Sequence, residues 1–202
     1  MSQTDSLAEL ARPVQNHGAE ILDACCGGRM WWWDKAHPLA VYMDRREAAP
    51  GSSSRRPNWS CQPSLLADFK EMPFEDEAFQ LVLFDPPHLV RDQASFSEVR
   101  LHYGEFSSVN EQEELGLGFT ECWRVLAPGG TLVFKWAGSL ERVLPHFPCD
   151  PVVGSRGPAR SAHDGQLGTR WFIFYKPLGE GVLDRADPRS DSSGSSTAPE
   201  DA

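Results

Sequence analysis

The stretch that most constrains the fold is residues 78–89, which have the sequence AFQLVLFDPPHL. Residues 81–84 form a short apolar run that ends abruptly at the DPPH sequence of residues 85–88. An apolar run that ends at a breaker is typical of a buried strand in a parallel sheet. Prolines cannot donate a ladder hydrogen bond and fix their own φ, so Pro86 and Pro87 end this strand.

This strand end has the chemistry of a binding site. Ligands of open α/β sheets bind beyond the carboxyl ends of the strands. The carboxylate of Asp85 and the carbonyl of Pro86 can accept N–H bonds from an amino group, and the ring of His88 can stack on a planar molecule. Taken alone, the stretch is equally compatible with a loop that exposes an acid in a tight turn.

A glycine turn follows the first predicted strand, residues 19–24. Its sequence is CCGG, residues 25–28. A strand that runs into small residues and paired glycines is typical of a turn that approaches a nucleotide-like ligand closely, although a plain strand-to-helix turn has the same appearance. The turn lacks the GxGxxG pattern, which argues against a dinucleotide-dependent dehydrogenase.

The next two predicted strands also end at acids. Residues 39–43 predict the second strand, and Asp44 follows it. An acid about twenty residues after a glycine turn is placed to bind ribose hydroxyls, the alternative being a surface acid. Residues 65–67 predict a short third strand that ends at Asp68.

Two segments near these strands have open interpretations. Residues 30–36 contain three consecutive tryptophans. They predict a short helix with two indoles in the core; the alternative places one indole at the mouth of the site. Residues 45–64 predict a loop with four arginines, which is either solvated or a patch that faces phosphates.

The second half predicts a lid, two helices and three further strands. Residues 89–110 are long for a connection and suggest a functional lid. Residues 111–126 predict a helix whose apolar positions face the sheet. Residues 131–136, TLVFKW, predict a buried fifth strand that brings Lys135 and Trp136 beside the central site. The remaining predictions are a helix at 139–144, an edge strand at 151–154 and a last strand at 169–176.

Composition limits the class of protein. The 202 residues predict a flexible arm (1–18), a single domain (19–177) and a disordered acidic tail (178–202). Five cysteines without zinc spacing or a secretory pattern favour reduced thiols, a cytoplasmic location and no metal site. No apolar run is long enough to span a membrane. The formal charge of −10 argues against a nonspecific nucleic-acid binder.

The order of these motifs resembles a known family. Residues 19–176 carry, in sequence, ILDACCGG, VYMD, ADFKEMPF, LVLFDPPH and VLAPGGTLVFKW. This order is similar to that of class I S-adenosylmethionine-dependent methyltransferases. The resemblance implies an α/β, Rossmann-like, doubly wound fold. Its seven-stranded, mostly parallel sheet would have a terminal antiparallel strand, helices on both faces, and S-adenosylmethionine over the carboxyl ends.

The resemblance also implies two sets of site residues. The DPPH sequence matches the (D/N/S)PP(aromatic) motif of methyltransferases that act on amino nitrogens of planar groups, notably adenine, with His in place of the commoner Tyr, Phe or Trp. The catalytic set is Asp85, Pro86, Pro87 and His88. The cofactor-binding set is Asp23, Cys25 and Gly27 for the methionine part, Asp44 for the ribose, and Asp68 with the backbone of Phe69 for the adenine.

The resulting expectation is a methyltransferase that acts on an amino nitrogen, with an adenine-like nucleic-acid base as the preferred substrate. The motif favours nucleic acid, whereas the acidic charge favours a small-molecule amine. The chain has no recognisable DNA-recognition domain, so a protein partner would supply target recognition. The alternatives are a small-molecule N-methyltransferase and a non-catalytic, cofactor-binding subunit of a partner methylase.

Overall fold

The computed structural model describes residues 18–88, 98–106, 110–137, 140–154, 161–162 and 166–179. The predicted arm and tail lie outside the described residues, except for residue 18 and residues 178–179. Parts of the predicted lid, residues 89–97 and 107–109, also lie outside them. No helix in the described part of the chain is long and apolar enough to cross a membrane.

The described strands are β1 (Ile21–Asp23), β2 (Ala40–Asp44), β3 (Leu65–Leu66), β4 (Phe79–Phe84), β5 (Leu126–Trp136), β6 (Ser161–Ala162), β7 (Gln166–Leu167) and β8 (Arg170–Tyr175). Six of them form one sheet, in the order β3-β2-β1-β4-β5-β8. Strands β1 to β5 are parallel, and β8 runs antiparallel to β5. A separate two-stranded sheet pairs β6 with β7.

Strand β4 is central, as the apolar run at residues 81–84 predicts. Its side chains Phe79, Val82 and Phe84 are almost completely buried. It pairs with β1 on one side and with β5 on the other. Leu83 lies opposite Asp23 of β1, so the chain leaves β4 beside the carboxyl end of β1. The acid that follows β4 is therefore close to the glycine turn that follows β1.

Three helices and one 3₁₀ turn complete the described structure. They are α1 (Glu98–Tyr103), α2 (Glu111–Val125), α3 (Leu140–Val143) and a 3₁₀ turn (Leu144–His146). Helix α2 packs on β4 and β5. Its buried side chains include Leu115, Phe119 and Cys122, which confirms the predicted apolar face. The helix ends one residue before the predicted end, and Leu126 already belongs to β5.

Phenylalanine side chains fill the space between α2 and the sheet. The ring of Phe119 stacks on that of Phe147 with centroids 3.9 Å apart and meets Phe174 of β8 edge-on at 4.7 Å. Phe134 of β5 contacts the same group. Full burial of one such side chain stabilises the fold by roughly 1.5–3 kcal/mol. This cluster fixes α2 and β8 against the centre of the sheet.

The predicted helix at residues 30–36 is wrong. This segment consists of turns, and residues 18–88, all of which are described, contain four strands and no helix. Arg29, just before this segment, has a left-handed φ of 53°, so the chain enters it through a turn. The indoles of Trp31 and Trp32 then turn toward two carboxylates, described below. The first three connections of the sheet are therefore loops rather than crossover helices.

The predicted edge strand at residues 151–154 is reduced to one bridge. Val153 and Ile173 of β8 exchange hydrogen bonds of 3.2 and 2.8 Å, and the N–H of Val152 also donates to the Ile173 carbonyl at 2.8 Å. Pro151 has no N–H to extend this ladder, and Val153 is 58% exposed. In the described part of the chain the sheet therefore has six strands, with β8 at its edge.

Candidate active site

Three predicted site acids lie at neighbouring strand ends. Asp23 ends β1 and Asp44 ends β2, while Asp85 directly follows β4. These strands are adjacent and parallel, so their carboxyl ends meet at one edge of the sheet. Asp23 and Asp44 are buried, at 5% and 3% exposure. Buried acids are rare unless partners compensate them, so their surroundings determine their chemistry.

A cavity of about 170 Å³ opens at this edge. Six predicted site residues line it: Asp23, Cys25, Gly27, Asp85, Pro86 and His88. A second cavity of about 20 Å³ adjoins it, and its lining adds Asp44, Phe69 and Pro87. The structure therefore brings nine of the ten predicted residues together.

Asp68 is the predicted residue that lines neither cavity. Its carboxylate accepts the backbone N–H of Lys70 at 3.0 Å and lies 3.9 Å from the guanidinium of Arg45. It faces a separate cleft beside α2, together with Glu114. Phe69, the next residue, turns inward instead and packs edge-on against Phe84.

One oxygen of Asp85 is held by two donors, and the other faces only His88. Its Oδ2 accepts hydrogen bonds of 2.7 Å from both Trp31 Nε1 and Lys135 Nζ. Its Oδ1 lies 2.9 Å from His88 Nε2, within ion-pair distance when the imidazole is protonated. Within the described part of the chain, Oδ1 and both ring nitrogens of His88 are buried, and Nδ1 has no hydrogen-bond partner. Buried, unpartnered polar atoms of this kind mark a place where a ligand can bind.

Asp85 is ionised at neutral pH. Burial raises the pKa of its carboxyl group, but the adjacent His88 and Lys135 outweigh burial and lower that pKa below its ordinary value of 3.8. The group is therefore a fixed hydrogen-bond acceptor rather than a base. Lys135 ends up here because β5 is parallel to β4, which places residue 135 beside the end of β4.

Asp23 has the opposite electrostatic environment. Its pKa is raised from 3.8 to about 7, mainly by burial and also by the charges of Asp85 and Asp44, while the hydrogen bonds from Trp32 and the backbone of Cys25 oppose the rise. Trp32 Nε1 donates to Asp23 Oδ2 at 2.7 Å. A carboxyl group that is half-ionised near pH 7 becomes fully ionised when a cation binds beside it.

Two of the three tryptophans, Trp31 and Trp32, therefore lie at the site rather than in the core. Trp31 lines the 170 Å³ cavity, which supports the alternative interpretation that places an indole at its mouth. Its ring lies 4.2 Å from that of Trp171 on β8, and Lys135 Nζ lies 5.3 Å above it. Trp33 is fully exposed.

Asp44 is completely engaged by its own neighbours. Its Oδ1 accepts the backbone N–H and the Nε–H of Arg46, at 2.9 and 3.0 Å. Its Oδ2 accepts the backbone N–H of Gly27 at 2.9 Å and Arg46 Nη2 at 3.0 Å. Gly27 has a φ of 46°, the left-handed conformation that glycine adopts at least cost. The glycine turn thus joins β1 to the end of β2.

Helix α1 forms one wall of the site and was not foreseen inside the predicted lid. It contributes His102 and Tyr103 to the cavity lining. Its Glu98 accepts hydrogen bonds from Ser53 and Ser54, which ties α1 to the arginine-containing loop. Arg46 Nη1 adds a 3.3 Å bond to the carbonyl of Leu101. No pattern within residues 98–103 announces these contacts, because their partners lie about 45 to 55 positions away.

No protein-family model and no curated protein matches the chain. Solved structures with a similar fold include the N-methyltransferase NodS from Bradyrhizobium japonicum WM9, at 17% identity over 86% of this chain and 93% of that one, with a TM-score of 0.45. Another is the [4+2]-cyclase SpnF, at 17% identity over 87% and 81%, with a TM-score of 0.46. A third is an S-adenosylmethionine-dependent methyltransferase from Methanosarcina mazei, at 12% identity over 89% and 99%, with a TM-score of 0.45. At this level of likeness, function has to be argued from the site itself.

Proposed function

We propose that this chain is an S-adenosylmethionine-dependent methyltransferase that methylates an amino nitrogen, with an adenine-like nucleic-acid base as the preferred substrate. One observation carries the proposal: Asp85, with one oxygen fixed by two donors and the other facing only His88, shares a cavity with Asp23 and the Gly27 turn. An acceptor for an amino group thus lies beside an acidic, glycine-lined place for a cationic nucleoside.

The residues fit this cofactor if one side chain moves. The guanidinium of Arg46 offers two N–H donors to the two oxygens of Asp44, as a ribose diol would offer two O–H donors. The backbone bonds from Gly27 and Arg46 can remain, because each carboxylate oxygen has two lone pairs. The cavity of about 170 Å³ lies below the roughly 300 Å³ at which ligand pockets begin, and withdrawal of Arg46 would enlarge it toward Asp44.

The chain's own residues would position the reactants. The bound cofactor supplies an electrophilic methyl group on a sulfonium. Trp31 and Lys135 hold Asp85, whose Oδ1 and the neighbouring Pro86 carbonyl would accept the two amino hydrogens and keep the nitrogen lone pair directed at the methyl. Alignment of this kind is worth roughly 7–11 kcal/mol. His88, which lies 2.9 Å from Asp85 Oδ1, is placed to receive the proton that the methylated nitrogen releases.

A small-molecule amine is the second candidate substrate. The small cavity and the net charge of −10 favour it. A non-catalytic, cofactor-binding subunit is a weaker candidate, because such a subunit has no need for an ionised acid that is hydrogen-bonded by Lys135 and Trp31.

Methyl-labelled S-adenosylmethionine separates these candidates. The purified protein is incubated with separate pools of DNA, rRNA, tRNA and a small-molecule extract, and transferred label is counted. We expect label in one nucleic-acid pool; label only in the small-molecule pool would identify the second candidate. No transfer to any pool by a protein that binds the cofactor would identify a subunit that needs a partner, and absence of cofactor binding would contradict the proposal as a whole.

The variant Asp85→Asn tests the central role of the carboxylate. We expect turnover to fall by about 100-fold or more, as when one aligned electrostatic group is lost from a catalytic site. Cofactor affinity should stay within about twofold. The exposed Asp150→Asn is the matched control, since it removes the same charge away from the site. Wild-type turnover in Asp85→Asn would remove Asp85 from the mechanism.

A further inference from the structure

A further cavity, here called the basic groove, opens beside the 170 Å³ active-site cavity and has a volume of about 650 Å³. Five residues line both spaces, which makes them continuous: Gly27, Gly28, Met30, Arg56 and Trp59. The groove is completed by Arg29, Lys35, Pro57, Asn58, Ser60 and Gln62. Any polymer that lies in the groove can therefore reach the cavity at Asp85.

The lining of the basic groove has one sign of charge. It contains three cations, Arg29, Lys35 and Arg56, and no Asp or Glu. This is notable in a chain with 29 acidic and 19 basic residues. A concave surface lined by one sign of charge concentrates field lines and attracts ligands of the opposite sign.

The three cations are not neutralised by the described residues. Arg29 donates to the carbonyls of Lys35 and Gln62, Lys35 donates to the carbonyl of Gly28, and Arg56 donates to the hydroxyl of Tyr103. Within the described part of the chain, no carboxylate pairs with any of the three. Cations elsewhere in the described structure do form ion pairs: Arg45, Arg46, Lys70, Arg100, Arg124, Lys135 and Lys176. The groove thus carries positive charge that no carboxylate of the described residues offsets.

The groove is built from fixed parts. The guanidinium of Arg29 lies 3.8 Å from the ring centroid of Tyr42. The indole of Trp59 lies so close to Gly28 that an added Cβ would come within 2.6 Å of its Nε1. The same segment that carries Arg29 and Lys35 exposes Met30 and Trp33, at 64% and 104%. Fixed cations beside exposed apolar side chains match the requirements of unpaired nucleotides, which stack on flat surfaces while cations contact the phosphates.

We propose that the basic groove binds the phosphodiester backbone of a single-stranded nucleic acid and leads one of its bases into the cavity at Asp85. The inference rests on the proposed function, of which it specifies the substrate. A base inside a duplex cannot reach a buried acceptor without leaving the stack, so a single strand is the form that enters directly. The groove also explains how a chain of charge −10 can bind a polyanion: its attraction is local.

Fluorescence anisotropy with labelled single strands tests the groove. Oligonucleotides of about twelve residues, one DNA and one RNA of the same sequence, are titrated with protein at several salt concentrations. The variants are Lys35→Gln and Arg56→Gln; the matched control is Arg142→Gln, an exposed arginine on α3. Each lost phosphate contact should weaken binding about fivefold at 0.1 M salt and reduce the salt slope by about 0.7. The control should bind as the wild type does, and the DNA and RNA arms identify which polymer binds more tightly.

Each outcome bears on the groove separately from methyl transfer. The inference would be overturned if the wild-type protein bound neither strand. It would also be overturned if both groove variants bound as tightly as the wild type, or if Arg142→Gln lost as much affinity as the groove variants do. The proposed function is tested independently, by calorimetric binding of the cofactor and by the label experiment. A protein that binds the cofactor and labels only small molecules, without binding either strand, would overturn the groove and retain the methyltransferase. Strand binding that the groove variants weaken, in a protein that does not bind the cofactor, would retain the groove and overturn the methyltransferase.

Discussion

The same side chain has opposite properties at two neighbouring positions. Lys135 and His88 lower the pKa of Asp85, whereas burial raises that of Asp23 to about 7. Each carboxylate also accepts one indole N–H, from Trp31 and Trp32 respectively. The difference between the two acids therefore comes from Lys135 and His88 beside Asp85, and it suits one acid to accept an amino group and the other to respond to a cation.

Asp23 predicts how cofactor affinity depends on pH. If the ionised form binds the cationic cofactor, affinity should rise about tenfold between pH 6 and pH 8, around the pKa of about 7. The neutral variant Asp23→Asn should show no rise in this window. Calorimetry across the range measures both, and an equal slope in the two proteins would exclude Asp23 as the responsible group.

The same pKa has a consequence for stability. In the unfolded chain Asp23 ionises near 3.8, whereas in the fold it holds its proton until about pH 7. Between about pH 3.8 and pH 7 the unfolded state therefore binds fewer protons than the folded state, and the contribution of Asp23 to stability falls as pH rises through this range. Above about pH 7 both states are ionised, and the contribution is constant.

Arg46 predicts a variant that binds the cofactor more tightly. The guanidinium occupies both oxygens of Asp44, so a ligand that needs them must displace it. We expect Arg46→Ala to raise cofactor affinity roughly fivefold, the equivalent of about 1 kcal/mol for one net hydrogen bond. Arg142→Ala, which removes an exposed arginine on α3 away from the site, is the control. Weaker binding by Arg46→Ala would instead show that the guanidinium holds the ligand.

At the scale of elements, helix α2 can approach the sheet closely because residue 118 is a glycine. A Cβ at Gly118 would lie 2.5 Å from a ring atom of Phe69 and 2.9 Å from one of Phe84. Phe84 is the last residue of β4, and Asp85 follows it. The close approach of α2 therefore fixes the position of the strand end that carries the acid.

Gly118→Ala tests this packing. Overpacking costs about 1–3 kcal/mol and the better helix propensity of alanine returns up to about 1 kcal/mol, so the free energy of unfolding should fall by about 1–2 kcal/mol. Denaturant titration measures it. Leu117→Ala, at a half-exposed position on the same helix, should change stability by less than about 0.5 kcal/mol. A more stable Gly118→Ala protein would show that Phe69 can move aside without strain.

The elements that could be predicted are those whose sequence matches their burial. Strand β4 has a short apolar run and helix α2 has apolar residues at helical spacing, and both correspond to residues that the structure buries. The tryptophan segment could not be predicted in this way, because its conformation depends on a hydrogen bond between residues 54 positions apart. The acids of the site were found from their places at strand ends, whereas the bond from the Gly27 N–H to Asp44 joins residues 17 positions apart, which no local pattern encodes.

At the scale of the whole molecule, ligand binding should be visible in thermal unfolding. A cofactor present at about 100 times its Kd adds about 2.7 kcal/mol to the stability of the fold, which for a domain of this size raises Tm by about 5–10 °C. We expect Asp44→Asn to lose most of this shift, because it removes the charge beside the ribose position. Asp150→Asn should retain it. A full shift in Asp44→Asn would exclude a ribose contact at Asp44, and the variant's own Tm without ligand serves as its baseline.

The two indole bonds to the carboxylates give the molecule a built-in optical reporter. Trp31 donates to the acid that would meet the substrate, and Trp32 donates to the acid that would meet the cofactor. Indole fluorescence responds to charge and hydrogen bonding at the ring nitrogen, so substrate binding and cofactor binding should each change the fluorescence of a different tryptophan. The order in which the two ligands arrive can thus be followed in unlabelled protein, with Trp31→Phe and Trp32→Phe to assign each change to its source.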